Sequence, residues 1–167
     1  VKAVIEAHKE LPELTFDIYG SGGEDSLLRE IIANHQAEDY IQLKGHAELS
    51  QIYSQYEVYL TASTSEGFGL TLMEATGAGL AMVGFDLRYG NPSFIKDGFN
   101  GYLVSFEDKS DQERVEEIAH ILLKMTSQDL SSYQEASYHL ASSYLEENIL
   151  DLWREFFSNE SSISFQE

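Results

Sequence analysis

The spacing of apolar residues along this chain switches repeatedly between a helical and an extended period, and each switch marks an element boundary. Val1, Val4, Ile5 and Leu11 predict a helix that stops at Pro12. Residues 14–19 alternate as a strand, residues 20–23 turn, and Leu27, Leu28, Ile31 and Ile32 put one apolar stripe on a helix. A short strand over 40–43 follows, then a helix with Leu49, Ile52 and Tyr53 inward. Apolar runs at 58–62 and 81–85 read as buried strands, and 102–105 as another after a turn at 97–101. Helices are expected over 109–125, 129–144 and 146–157. Strands alternating with helices imply an α/β fold with a parallel sheet, doubly wound and Rossmann-like.

The stretch between the strands 58–62 and 81–85 carries the candidate chemistry. Gly67, Phe68 and Gly69 form an open turn, and the helix starts at Gly69 or Leu70. Its first N–H groups have no intrahelical acceptor and lie at the positive end of the helix dipole, so a diphosphate is a natural ligand. Glu74 is the only charged residue from Gly67 to Phe85, on a face shared with Leu70 and Gly77. A helix so apolar predicts a buried carboxylate, which needs a partner. Glu66 stands before the turn. The two glutamates flank an anion-receptive helix start, where carboxylates can take sugar hydroxyls. The plainer alternative is a first-turn charge beside a tight connection.

Charge narrows the partners. Ten Lys and Arg against 29 Asp and Glu give a net charge of −19, which opposes binding of nucleic acid or an anionic membrane by the chain as a whole. There is no cysteine, so disulfide and thiolate chemistry are excluded, which suits a reducing cytoplasm. No apolar run is long enough to span a bilayer, and the N-terminal residues lack a signal-peptide pattern. His8, His35, His120 and His139 have no partners at metal-ligand spacing, so no metal is expected. Lys44 and His46, after the strand 40–43, are either ordinary loop residues or donor contacts. Arg88 is the single cation of the loop 86–92, where it serves a phosphate or an acceptor, or braces the loop.

Two glutamates seven residues apart, with Gly67-Phe68-Gly69-Leu70 after the first and Ala75 after the second, resemble the donor-site motif of retaining family 4 glycosyltransferases. The segments 14–23, 41–45, 56–60 and 96–104 resemble further landmarks of that family's C-terminal domain, so about two thirds of the chain is covered. Within the family, residues 18–85 are nearest in wording to the branch of the accessory Sec system. That branch attaches N-acetylglucosamine to Ser and Thr of serine-rich repeat adhesins in Gram-positive bacteria, as the catalytic subunit of a heterodimer. Poly(glycerol-phosphate) glucosyltransferases, with a similar Arg88-Tyr89-Gly90, are the nearest rival; a non-catalytic binding module on the same fold is another.

The resemblance implies the donor-binding, C-terminal half of a GT-B glycosyltransferase using UDP-N-acetylglucosamine with retention. Glu66 is the expected catalytic residue, facing the donor sugar. Gly67, Phe68, Gly69, Leu70, Thr71 and Glu74 are expected to bind the donor, Glu74 through the ribose, with Lys44, His46 and Gly20 alongside. The expected partners are a UDP-sugar, a serine-rich protein acceptor and a non-catalytic glycosyltransferase-like subunit, in the cytoplasm or peripheral at the membrane, with no metal or other cofactor. Ala81 stands where the family usually has Pro. The family's diphosphate-neutralising Arg and Lys follow a first strand that would precede Val1, so a donor half-site is expected, inactive alone. Residues 1–144 form the nucleotide-sugar domain and 145–158 a helix that either crosses to another domain or packs as a plain core helix. Residues 159–167 are an expected disordered tail. In strand order 3-2-1-4-5-6 the missing first strand leaves the centre vacant, between the strands 14–19 and 58–62, or filled by another chain.

Overall fold

The computed structural model describes residues 1–65 and 67–160; Glu66 and the tail 161–167 lie outside the described residues. Among the described residues five strands alternate with seven α-helices: α1 (Lys2–His8), β1 (Phe16–Tyr19), α2 (Asp25–Asn34), β2 (Ile41–Gly45), β3 (Val58–Leu60), α3 (Leu70–Gly77), β4 (Ala81–Asp86), α4 (Gly90–Phe94), β5 (Gly101–Ser105), α5 (Asp111–Thr126), α6 (Ser131–Ser142) and α7 (Glu146–Glu160).

Every strand pairing is parallel. β1 pairs with β2, and β4 lies between β3 and β5. β4 shows why the fold is layered. Its residues point alternately to two faces: Ala81, Val83 and Phe85 enter a core built with α1 and α5, while Met82 enters a second core with Tyr53, Leu72, Ala75, Phe94 and Ile95. A strand buried on both faces reads as a continuous apolar run, as 81–85 does. α5 is fixed at its start by a capping box, with Ser110 and Glu113 exchanging side-chain and backbone hydrogen bonds.

β1 and β3 share no ladder. The two sheets stay separate, so the vacancy expected from the strand order is present. A cavity of about 260 Å³ lies there, lined by Phe16 and Ile18 of β1, Val58 and Leu60 of β3, and Tyr53 and Thr71. Hydroxyls partly close it: Tyr56 donates to Asp17 Oδ2 at 2.5 Å and lies 2.7 Å from the Tyr19 hydroxyl, and Lys44 Nζ sits 3.4 Å from the same carboxylate oxygen.

Three expectations need correction. The helix expected around Leu49, Ile52 and Tyr53 is a series of turns ending in one 3-10 turn over Tyr53–Gln55. The inward spacing survives, but so short a segment before β3 cannot repay helix nucleation. The loop 86–92 contains α4, begun at Tyr89 and Gly90 and tied back by Asn91 Nδ2 donating to the Phe85 carbonyl at 2.9 Å. The tail was expected from residue 159, but α7 runs on to Glu160, so the C-terminal helix is longer than its expected end. That helix is not a core helix: Trp153 is 54% exposed, with Leu150, Leu152, Phe156 and Phe157 also open to solvent.

Candidate donor-binding site

The site forms where β3 ends and α3 begins. Gly69 is the N-cap of α3 at φ 80°, a left-handed conformation that suits glycine. A Cβ there would also lie 2.6 Å from Leu72 Cδ1, so the Leu72 side chain would have to shift. Among the described residues no side chain caps this helix, and its first N–H groups have no intrahelical acceptor. Gly67 has open space around the position of a Cβ. The turn is anchored by Phe68, whose ring meets Phe94 edge-on at 5.3 Å and Tyr144 at 6.5 Å, although the ring remains half exposed.

Glu74 is exposed, against the expectation of a buried carboxylate. The face it shares with Leu70 and Gly77 is the open one, and the helix buries Leu72, Ala75 and Thr76 instead. An apolar helix here does not imply a covered one, because Leu70 too is 62% exposed. The carboxylate still has a protein partner: the Tyr53 hydroxyl donates to Glu74 Oε2 at 3.1 Å. Burial first, and then that carboxylate, push the Tyr53 pKa above its ordinary value, so the phenol keeps its proton. Beside it the Tyr59 hydroxyl donates to Thr71 Oγ1 at 3.0 Å, tying the first turn of α3 to β3.

The other candidates are arranged around this centre. Gly20 follows β1 at φ 128°, and its N–H bonds the Gly45 carbonyl, which closes the end of the β1–β2 pair. Lys44 is exposed and drawn toward Asp17, and His46 is exposed on the following loop. Arg88 is exposed in the turn after β4, next to Tyr89, which adopts φ 83° and ψ −94° in a region disfavoured for a side-chain-bearing residue. Ser93 Oγ donates to the Tyr89 carbonyl and helps hold that turn. Among the described residues no group of three or more His, Cys, Asp or Glu could hold a metal ion, and no helix is long and apolar enough to cross a membrane.

The tyrosine hydroxyls were not read as part of the site. Tyr53, Tyr56 and Tyr59 recur every third residue and all line the cavity, and their hydroxyls donate to Glu74, Asp17 and Thr71 in turn. The available signal was that a tyrosine on a core-facing stripe must place its O–H on an acceptor.

A helix start that follows a parallel strand can receive an anion, and here a hydroxyl-bound glutamate stands beside it. The chain belongs to the glycosyl transferases group 1 family, whose model matches residues 1–137. It is 67% identical over 156 residues to the UDP-N-acetylglucosamine--peptide N-acetylglucosaminyltransferase GtfA subunit of Streptococcus pneumoniae, covering 92% of this chain and 31% of that protein. The crystal structure of the pneumococcal O-GlcNAc transferase GtfA in complex with UDP and GlcNAc superposes with a TM-score of 0.87 at 63% identity, over 95% of this chain and 32% of that one. A GtfA/B complex matches with a TM-score of 0.84 at 49% identity, over 94% and 32%. The poly(glycerol-phosphate) alpha-glucosyltransferase of Bacillus subtilis is more distant, 31% identical over 157 residues, 92% of this chain and 22% of that protein. The chain thus spans about a third of the length of the relatives it resembles most among these.

Proposed function

We propose that this chain supplies the donor side of a retaining glycosyltransferase that moves N-acetylglucosamine from UDP-N-acetylglucosamine to Ser and Thr of a serine-rich adhesin. The observation that carries the reading is the start of α3, which no side chain among the described residues caps, with Glu74 one turn further on and its carboxylate held by Tyr53. The N–H groups of Gly69 to Thr71 stabilise the departing diphosphate, fixed dipoles set against charge that develops as the glycosidic bond breaks. Glu74 accepts from the ribose hydroxyls. Glu66 serves as the catalytic carboxylate at the donor sugar. Lys44, His46 and Gly20 border the nucleotide, and Arg88 meets a phosphate or the acceptor.

Two features support a larger assembly. The cavity lies between the edges of β1 and β3 that no ladder joins, and α7 presents Leu152, Trp153 and Phe156 as exposed apolar side chains. A strand in the first place of the sheet, an acceptor domain against α7 and a second, non-catalytic subunit complete the enzyme, as the likeness to a GtfA/B complex supports. The enzyme works in the cytoplasm, at most peripherally at the membrane, and needs no metal.

The 67% identity to a peptide N-acetylglucosaminyltransferase, against 31% to a poly(glycerol-phosphate) glucosyltransferase, favours the first donor and acceptor. Donor turnover, measured on the protein at the length its gene encodes, tests this. UDP-N-acetylglucosamine with a serine-rich peptide is expected to turn over, and preference for UDP-glucose with a glycerol-phosphate polymer would overturn the assignment.

A further inference from the structure

Tyr53 has one property that its place in the core does not explain. Its ring is 7% exposed and sits among Leu72, Ala75, Leu80 and Met82, a site that phenylalanine would fill equally well. The hydroxyl leaves that core and donates to Glu74 Oε2 at 3.1 Å, with the Thr71 carbonyl at 3.5 Å. Glu74 itself is exposed, on a helix whose start is the candidate anion site. An exposed glutamate samples several rotamers and loses that freedom when a ligand holds it, which weakens binding.

We propose that Tyr53 is a positioning residue of the donor site: its buried phenol holds Glu74 Oε2 and so presents Oε1 in one orientation to a ribose hydroxyl of the nucleotide. The assignment rests on the reading of Glu74 as a donor-binding carboxylate. The division of labour follows from the geometry. A tyrosine has two side-chain torsions, both held here by packing, so it is a rigid post for a flexible carboxylate. Among the described residues, Oε1 receives no hydrogen bond, so it keeps its capacity for a ligand. The 3-10 turn Tyr53–Gln55, far from Glu74 in sequence, thereby becomes part of the donor site.

The test uses Tyr53→Phe, Glu74→Ala and the double variant in the protein at the length its gene encodes, with UDP affinity by calorimetry and donor KM and kcat for UDP-N-acetylglucosamine. Tyr53→Phe is expected to weaken UDP binding about tenfold, the scale of one hydrogen bond to a charged group. The loss should fall on donor KM rather than kcat, and the double variant should bind UDP no more weakly than Glu74→Ala. If Tyr53→Phe binds UDP as the parent does while Glu74→Ala is weakened, the positioning role is wrong and the Glu74 reading stands. If Glu74→Ala leaves UDP affinity unchanged, the Glu74 reading fails and the positioning role with it. A further tenfold loss on adding Tyr53→Phe to Glu74→Ala would place the effect in core packing and overturn the proposal, whatever the thermal midpoints.

Discussion

The two sheets are built from the same unit, a parallel strand–helix–strand, yet they are not equally finished. In the β3–β4–β5 sheet the central strand is buried from Ala81 to Phe85 and packed on both faces. In the β1–β2 sheet every residue of β1 is only half-buried. The difference is position. β4 has a neighbour on each side, whereas β1 and β3 each turn one edge to the cavity between them. Local sequence makes a strand, and only a second neighbour makes it a core strand.

Substitution of glycine separates the sheets most sharply. A Cβ at Gly101 of β5 would lie 1.7 Å from the Met82 carbonyl oxygen, a backbone atom that cannot move aside without parting the strands. Gly101→Ala should therefore cost more than about 4 kcal/mol and leave little folded protein by circular dichroism. Gly45 of β2 has open space around it but φ +71°, so Gly45→Ala should cost only about 1–2 kcal/mol. Equal losses would remove the distinction between a closed sheet and an open one.

Truncation in the strands gives a smaller contrast. Met82→Ala, at a fully buried site, should cost about 2–5 kcal/mol in urea unfolding. Leu43→Ala in half-buried β2 should cost clearly less, and a larger loss there would mean that the two-stranded sheet governs stability.

Hydrogen exchange reads the unpaired edges directly. The Phe16 N–H bonds the Tyr40 carbonyl and the Gly20 N–H bonds the Gly45 carbonyl, so strand alternation turns the Asp17 and Tyr19 N–H groups toward the cavity. By the same rule the bond from the Thr61 N–H to the Val83 carbonyl turns Val58 and Leu60 inward. These four amides should exchange faster in this chain than those of Val83 and Phe85. Comparable protection would mean that something occupies the slot.

The smallest effect belongs to α5, which packs beneath β5 and against α1. The Ser110 hydroxyl and backbone N–H hold the Glu113 carboxyl below its ordinary pKa. A depressed folded value means the contribution is complete above the unfolded pKa, about 4.3, and is lost as pH falls through the folded value. Unfolding midpoints below about pH 5 should thus fall less steeply in Ser110→Ala than in the parent, and identical pH profiles would show that the cap contributes nothing.

Much of this was written locally in the sequence. The unbroken apolar run 81–85 specified a strand buried on two faces, and Gly69 before Leu70 specified where α3 starts, because only glycine meets its left-handed φ without strain. The parallel order followed from the alternation of elements, and the vacant centre from the family resemblance, which supplied the strand order. Three things were decided by tertiary structure. Leu49, Ile52 and Tyr53 kept their inward direction but not a helix, because packing needed the side chains and not the ladder. Glu74 was exposed although its helix is apolar, because composition says how much of a face is greasy and not which neighbour covers it. Its partner, the Tyr53 hydroxyl, lies twenty-one residues away, a contact that no local period encodes and that exists only because α3 and the turn before β3 share one core.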